Sequence, residues 1–168
     1  MQISPLYVGN NIVVLFANCQ DLPSYEKCQD VILYMKEKQP HIVCLQDTHW
    51  VEADENRIKN IWGIEVFISE GKTNSSGVPI LLNNNFEYKV LSCNKDINEN
   101  YLGLLSSITI YLLTIYGLNK DRPEFYQSID MLPPKYDVLY NILCGYFTLV
   151  LNPEIDMYKY KKVNNPQA

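Results

Sequence analysis

The amino-acid pattern predicts an α+β fold in which one sheet packs on another with helices outside. Three observations predict it. Short β-branched, apolar runs outnumber the helical patterns. The connections between runs are of both strand–helix–strand and hairpin kinds. No linker or internal repeat divides the 168 residues, which is about one domain's worth of chain. At 47% hydrophobic and 20% charged, the composition is that of an ordinary folded domain and excludes a disordered tail.

The elements follow in order. Ile12–Ala17 is a β-branched run that predicts a strand ending at Asn18. Ser24, after Pro23, is placed to cap a helix with Glu26 in its first turn. Cys28, Val31, Ile32 and Met35 recur there at helical spacing, Lys27, Glu37 and Lys38 fall on the opposite side, and Pro40 ends the pattern. Ile42–Leu45 predicts a second buried strand, which runs into the polar cluster Gln46-Asp47-Thr48-His49. The charged stretch 52–59 reads as a short helix, and Ile64–Ile68 as a strand. A loop holding Gly71, Asn74, Ser75, Ser76 and Gly77 separates it from a strand over Val78–Leu82. Tyr88–Cys93, Leu104–Ile110 and Leu112–Tyr116 predict three more strands. Pro123, at a first helical position, opens a helix over Glu124–Leu132 that Pro133-Pro134 closes. Val138–Cys144 and Leu149–Leu151 are the last apolar runs.

Charge and cysteine usage narrow the function classes. Fourteen Lys and Arg against 19 Asp and Glu leave a net charge of -5, so no broad cationic surface exists to hold polyanions. Any nucleic-acid contact must be local or metal-mediated. The five cysteines, Cys19, Cys28, Cys44, Cys93 and Cys144, form no C-x-x-C pair and are odd in number. They predict reduced, partly buried thiols in a reducing, intracellular compartment, without a disulfide framework or a zinc site. The N-terminus lacks a basic region and a cleavage site, and its apolar run Ile12–Ala17 is too short for a signal core. The stretch Tyr101–Asn119 carries no charge and approaches the length of a membrane span. Gly103, Ser106, Ser107, Thr109, Thr114 and Gly117 interrupt it, and two consecutive buried strands explain it better. The sequon Asn74-Ser75-Ser76 has no export signal to bring it to glycosylation.

Four polar residues, Asn18, Asp47, Tyr116 and Asn119, stand just past the C-terminal ends of buried strands. Side chains from separate strands converge at such ends, where ligands gather, and a carboxylate with amide and phenol neighbours can hold Mg²⁺ together with waters and phosphate oxygens. The commoner role of polar residues there is simply to mark where strands leave the core. His49 follows Asp47 closely enough to share its loop, to contact a phosphate or act as an acid, or merely to bond within that loop. His41, between Pro40 and a strand, reads as structural. Glycine-rich phosphate loops, Gly-x-Ser-x-Gly and His-Glu-x-x-His are absent. Lys159, Lys161 and Lys162, interleaved with Tyr158 and Tyr160, read as a solvated end more readily than as a nucleic-acid contact.

Taken in order, several strings resemble one family. Ile42-Val43-Cys44-Leu45-Gln46-Asp47-Thr48-His49-Trp50 resembles the Leu-Gln-Glu-Thr-His segment of LINE-type retrotransposon endonucleases, members of the endonuclease/exonuclease/phosphatase superfamily. Asn18 matches the asparagine of that family's first motif, and Gly77-Val78-Pro79-Ile80-Leu81-Leu82 its Gly-Val-Ala-Ile-Leu strand. Thr114-Ile115-Tyr116-Gly117-Leu118-Asn119 is similar to its Ile-Tyr-Gly-Pro-Asn segment. Residues 142–153 stand where it has Cys-Gly-Asp-Phe-Asn-Leu-Val-Leu-Asn-Pro, and the likeness runs from about Ile12 to Pro166. The resemblance implies a four-layer sandwich, two packed sheets flanked by helices. It also implies Mg²⁺-dependent nicking of one DNA strand, priming reverse transcription, with Asn18, Asp47, Tyr116 and Asn119 as site residues and Asp47 on the metal.

The departures from that family bear on activity. Asp47 stands where it has glutamate, one methylene longer. Tyr146 replaces the aspartate that activates water, and a phenol, which ionises near pH ~10, is a poor base and a weak Mg²⁺ ligand. Thr148 replaces the asparagine that orients that aspartate, and no histidine follows His49 to supply the family's Ser-Asp-His motif. On this resemblance, residues 1–168 are expected to be one domain of that fold, truncated at its C-terminal end and without catalysis. Mg²⁺ binding is expected to be weak or absent, and DNA or protein binding is the function that could persist.

Overall fold

The computed structural model describes residues 2–8, 12–19, 22, 24–69, 77–95, 101–106, 110–117, 123–130 and 140–146. Asn119, Thr148, the sequon at Asn74, the Leu149–Leu151 run and the lysines from Lys159 onward lie outside them. Nine strands are described: β1 (Gln2–Val8), β2 (Ile12–Asn18), β3 (Ile42–Gln46), β4 (Val66–Ser69), β5 (Val78–Leu82), β6 (Val90–Lys95), β7 (Tyr101–Ser106), β8 (Ile110–Tyr116) and β9 (Tyr140–Tyr146). The helices are α1 (Tyr25–Glu37), α2 (Glu55–Trp62) and α3 (Pro123–Asp130), with a 3₁₀ turn at Glu52–Asp54 leading into α2.

The strands form two mixed sheets, a five-stranded one in the order β1-β2-β3-β5-β4 and a four-stranded one in the order β6-β7-β8-β9. β2 and β3 run parallel with α1 as their crossover, and β8 and β9 run parallel with α3 between them. The remaining neighbours pair antiparallel.

Residue alternation sets the layers. On β8, Tyr111, Leu113 and Ile115 pack with Phe125 and Ile129 of α3, while Ile110 and Leu112 point into the space between the sheets. There they meet Val14, Ile42, Cys44, Ile80, Leu102, Leu104, Ile142 and Cys144. On the far side of the larger sheet, Leu15, Val43, Leu45 and Leu81 pack against Ile32 and Met35 of α1 and Ile58 and Trp62 of α2. The result is four layers, helices–sheet–sheet–helix, as the sequence predicts for an α+β sandwich. Both faces of β8 are covered, which is why the segment carries no charge and reads nearly like a membrane span. Among the described residues no helix is long and apolar enough to cross a membrane.

Local chemistry accounts for the element ends. The Ser24 hydroxyl accepts from the Lys27 N–H at 3.2 Å, capping α1. Gly63, at φ 92°, closes α2 in the left-handed conformation, with its N–H bonded to the Lys59 carbonyl. Strand β1 escapes the apolar pattern because Pro5 breaks it, yet its ladder to β2 runs from Gln2↔Asn18 to Val8↔Ile12. It borders the sheet, where a proline is tolerated. Pro79, inside β5, lies past the last β3 pair, Cys44↔Ile80, so its missing N–H breaks no bond to β3.

Several strand boundaries differ from the sequence reading. β6 begins at Val90 rather than Tyr88, because the Tyr88 ring stacks on Phe86 at 4.7 Å and its hydroxyl donates to the Glu65 carboxylate at 3.1 Å. Ile110 opens β8 instead of closing β7, and the expected start of the last long run at Val138 lies outside the described residues. In uniformly apolar runs nothing in the composition marks where one strand stops.

Candidate functional site

The described members of the predicted set, Asn18, Asp47 and Tyr116, gather where the parallel strands end. Asn18, last in β2, is the register partner of Gln46, last in β3, and the Cys19 N–H extends the pairing to the Gln46 carbonyl at 2.9 Å. Tyr116 and Tyr146, last in β8 and β9, are likewise partners across a parallel pair. The two sheets are joined beneath these ends: the Gln46 side-chain amide Nε2 donates to Thr114 Oγ1 at 3.1 Å, with both residues buried. That bond fixes the end of β3 opposite the end of β8. Asn18, Asp47, Tyr116 and the backbone of Tyr146 therefore share one edge of the sandwich.

The turn after β3 is built around Thr48. Its N–H and its hydroxyl both donate to the Gly77 carbonyl, at 3.3 and 3.2 Å, and its Oγ1 accepts from the Trp50 N–H at 3.4 Å. Thr48 is wholly buried, whereas the residues on either side adopt positive φ, 56° at Asp47 and 57° at His49. Left-handed backbone at two non-glycine positions so close together is costly and is held here by the surrounding bonds. It aims the two flanking side chains at each other, with Asp47 Oδ1 3.1 Å from His49 Nε2. Their side chains are 19% and 32% exposed, enough for a ligand to reach them. Nearby, burial and then the Asp47 carboxylate push the Cys19 thiol up to about 12.

Chemically, this edge offers a carboxylate that orients an imidazole, an amide from Asn18 and a phenol from Tyr116. Such a set can hydrogen-bond a phosphate or a sugar edge. Among the described residues, no three His, Cys, Asp or Glu side chains come together to hold a metal ion. Mg²⁺ requires near-octahedral oxygen ligation, and Asp47 already has Oδ1 engaged by His49. Asp47 Oδ2 is not part of that contact and could hold Mg²⁺ together with waters, as the resemblance implies.

His41 belongs to the opposite end of the sandwich. Its Nδ1 accepts from the Val13 N–H at 2.9 Å, its own N–H donates to the Val13 carbonyl at 2.9 Å, and its ring meets Phe86 edge-on at 5.4 Å. It is structural, as the sequence reading expects. The residues that sequence reasoning did not single out are Gln46 as an inter-sheet bridge and the Thr48–Gly77 contact. Gln46 and Thr114 were detectable as lone polar residues at inward-facing positions of apolar strands, because buried polar groups require partners.

No family model matches the sequence. Among solved structures, the chain superposes on ANGEL2, a 2′,3′-cyclic phosphatase in complex with adenosine-2′,3′-vanadate, with a TM-score of 0.57 and 14% identity over 86% of this chain and 56% of that one. This is the endonuclease/exonuclease/phosphatase fold. The 3′ phosphatase NExo from Neisseria, bound to product DNA hairpin, matches with a TM-score of 0.53 and 15% identity, over 84% of this chain and 62% of that one. D. rerio TDP2, humanized by 14 mutations, matches with a TM-score of 0.50 and 16% identity, over 69% of this chain and 53% of that one. The chain thus spans between half and two thirds of the length of these structures.

Proposed function

We propose that the chain is a LINE-type, retrotransposon-derived endonuclease-like domain that keeps the fold of a DNA-nicking enzyme without its chemistry. The observation that carries this reading is a register: parallel pairing puts Tyr146 beside Tyr116 at the ends of β9 and β8. The resemblance expects a water-activating aspartate at that position. A phenol there is a poor base at neutral pH, and Asp47, one methylene short of the family's glutamate, is held by His49. The order of the other resembling segments supports the retroelement origin. The Gln-Asp-Thr-His string begins at the last residue of β3 and forms the turn after it, Gly77 leads into β5, and Ile115-Tyr116 ends β8.

The test is a nicking assay on supercoiled plasmid with Mg²⁺ or Mn²⁺. No nicked circle is expected at any metal concentration. Metal-dependent nicking that disappears in Asp47→Ala would overturn the non-catalytic reading and make Asp47 a working metal ligand. A mobility-shift titration on the same DNA, with and without Mg²⁺, separates a binding module from a domain with no DNA contact. With a net charge of -5, binding is expected to be weak and confined to the Asn18–Asp47–Tyr116 edge.

A further inference from the structure

Asp47 and His49 are held face to face by the residue between them. Thr48 is wholly buried and tied twice to the Gly77 carbonyl, so the backbone that carries both side chains is fixed from outside the turn. Their facing atoms, Asp47 Oδ1 and His49 Nε2, lie 3.1 Å apart, and the side chains are 19% and 32% exposed. That separation is a hydrogen-bond length, but it is also the spacing of two donors on one small divalent ion. With metal–donor bonds of about 2.0–2.2 Å and angles of about 90–109°, two donors stand roughly 2.8–3.5 Å apart. An imidazole nitrogen beside a carboxylate oxygen also selects among ions: imidazole suits Zn²⁺, Ni²⁺ and Cu²⁺, whereas Mg²⁺ takes oxygen. No third His, Cys, Asp or Glu joins the pair among the described residues, so the rest of the coordination shell would be water or ligand.

We propose that Asp47 Oδ1 and His49 Nε2 form a two-donor chelate for a divalent ion of the Zn²⁺ class, with water in the remaining positions. The ion takes the place of the hydrogen in the Oδ1–Nε2 contact, and the imidazole binds neutral with its ring proton on Nδ1. Because only two protein donors contribute, the site is open and weak, unlike a closed four-ligand structural centre. Mg²⁺ held through Oδ2 and waters needs no imidazole, so the two ions respond differently to the loss of His49. His41 offers no comparable site, since its Nδ1 accepts from the Val13 N–H at the opposite end of the sandwich. Of the five thiols four are buried and Cys93 is half-buried, which makes Cys93 the competitor to control for. The chelate shares Asp47 with the proposed function but is read without a nicking assay, so the two can fail separately.

The test is calorimetric titration of the whole, reduced chain with Zn²⁺ and, in parallel, with Mg²⁺. Zn²⁺ should bind more tightly than Mg²⁺. Asp47→Ala and His49→Ala should each weaken Zn²⁺ by at least about tenfold, since even partners one bond removed from a metal are worth about 10–100-fold. Cys93→Ser should leave Zn²⁺ binding unchanged, and His49→Ala should not weaken Mg²⁺. If a variant does not fold, Co²⁺ added to the unaltered chain decides. The chain has two histidines, so their ring-proton NMR signals can be told apart, with His41→Asn to assign them. Co²⁺ should shift and broaden the His49 signals and spare those of His41. Zn²⁺ binding that survives His49→Ala or is lost in Cys93→Ser, Mg²⁺ bound as tightly as Zn²⁺, or Co²⁺ acting on the His41 ring instead would each overturn the chelate. So would the absence of any Zn²⁺ binding.

Discussion

Replacing Gly77 by alanine tests how the site turn is held. A Cβ at Gly77 would lie 2.9 Å from Thr48 Oγ1, 3.1 Å from the His49 nitrogen and 3.2 Å from the Trp50 nitrogen. Two of those neighbours are backbone, and the third is a buried hydroxyl already bonded to the Gly77 carbonyl. None can swing away, so the turn itself must move. The backbone at Gly77 also sits at φ 70°, where an L side chain costs roughly 1–2 kcal/mol. Overpacking adds roughly 1–3 kcal/mol, giving a loss of about 2–5 kcal/mol. Gly63 supplies the control: it too has positive φ, 92°, but its Cβ would meet only Lys36 Nζ, at 3.8 Å. Gly63→Ala therefore carries only the backbone cost of roughly 1–2 kcal/mol. Urea unfolding of both variants and the parent chain, compared at a common slope, reads the difference directly. Equal losses for the two variants would refute the claim that the Thr48 turn is packed against Gly77.

Three other perturbations have defined outcomes. Burial lowers the His41 pKa, and its Nδ1 must stay unprotonated to accept from Val13, so the unfolded chain takes up the proton more readily than the folded one. The resulting contribution is present above about pH 6.5 and is lost as pH falls below it. Unfolding free energies of the parent and His41→Asn from neutral to mildly acid pH should converge, and a constant difference would contradict this. Trp62→Phe removes the indole N–H bond to the Leu82 carbonyl, 2.7 Å long and buried, and should cost about 1–3 kcal/mol by denaturant titration. A loss under about 0.5 kcal/mol would mean that the carbonyl finds another donor. Gln46→Leu and Thr114→Val each strand a buried partner and should cost about 1–3 kcal/mol. The double variant should cost clearly less than the sum, and strict additivity would deny the bridge.

The layers were legible because burial on both faces leaves a composition signal, as in β8, and because α1 carries both its cap and its apolar stripe. Strand ends inside apolar runs were not, since Ile110 suits β7 and β8 equally by side chain and only the pairing decides. β1 stayed hidden behind Pro5, which argues against a strand unless it is known to lie at an edge. The position of Asn18, Asp47 and Tyr116 at or just past strand ends was legible from the polar residues that close the apolar runs. The Asp47–His49 contact was legible only as proximity in sequence. Two positive φ values and an acceptor 29 residues away, at Gly77, create it, and neither is written in the local pattern.

The same geometry bears on what the Gln46–Trp50 string can be evidence for. Gln46 joins the two sheets, Thr48 anchors the turn to Gly77, and Trp50 is buried in the layer under the helices. Each has a structural role in this chain that does not depend on cutting DNA. Only Asp47 and His49 in that string reach solvent. Likeness at the three buried residues therefore weighs for the fold and says nothing about nicking. On the proposed reading, chemistry depends instead on Asp47, His49 and the sequence positions of Tyr146 and Thr148. On that reading, the decisive contrast is between an intact inter-sheet framework and a phenol where the resemblance expects a water-activating aspartate. A domain can lose that aspartate and keep the framework, because the Gln46–Thr114 and Thr48–Gly77 bonds do not pass through the reacting groups.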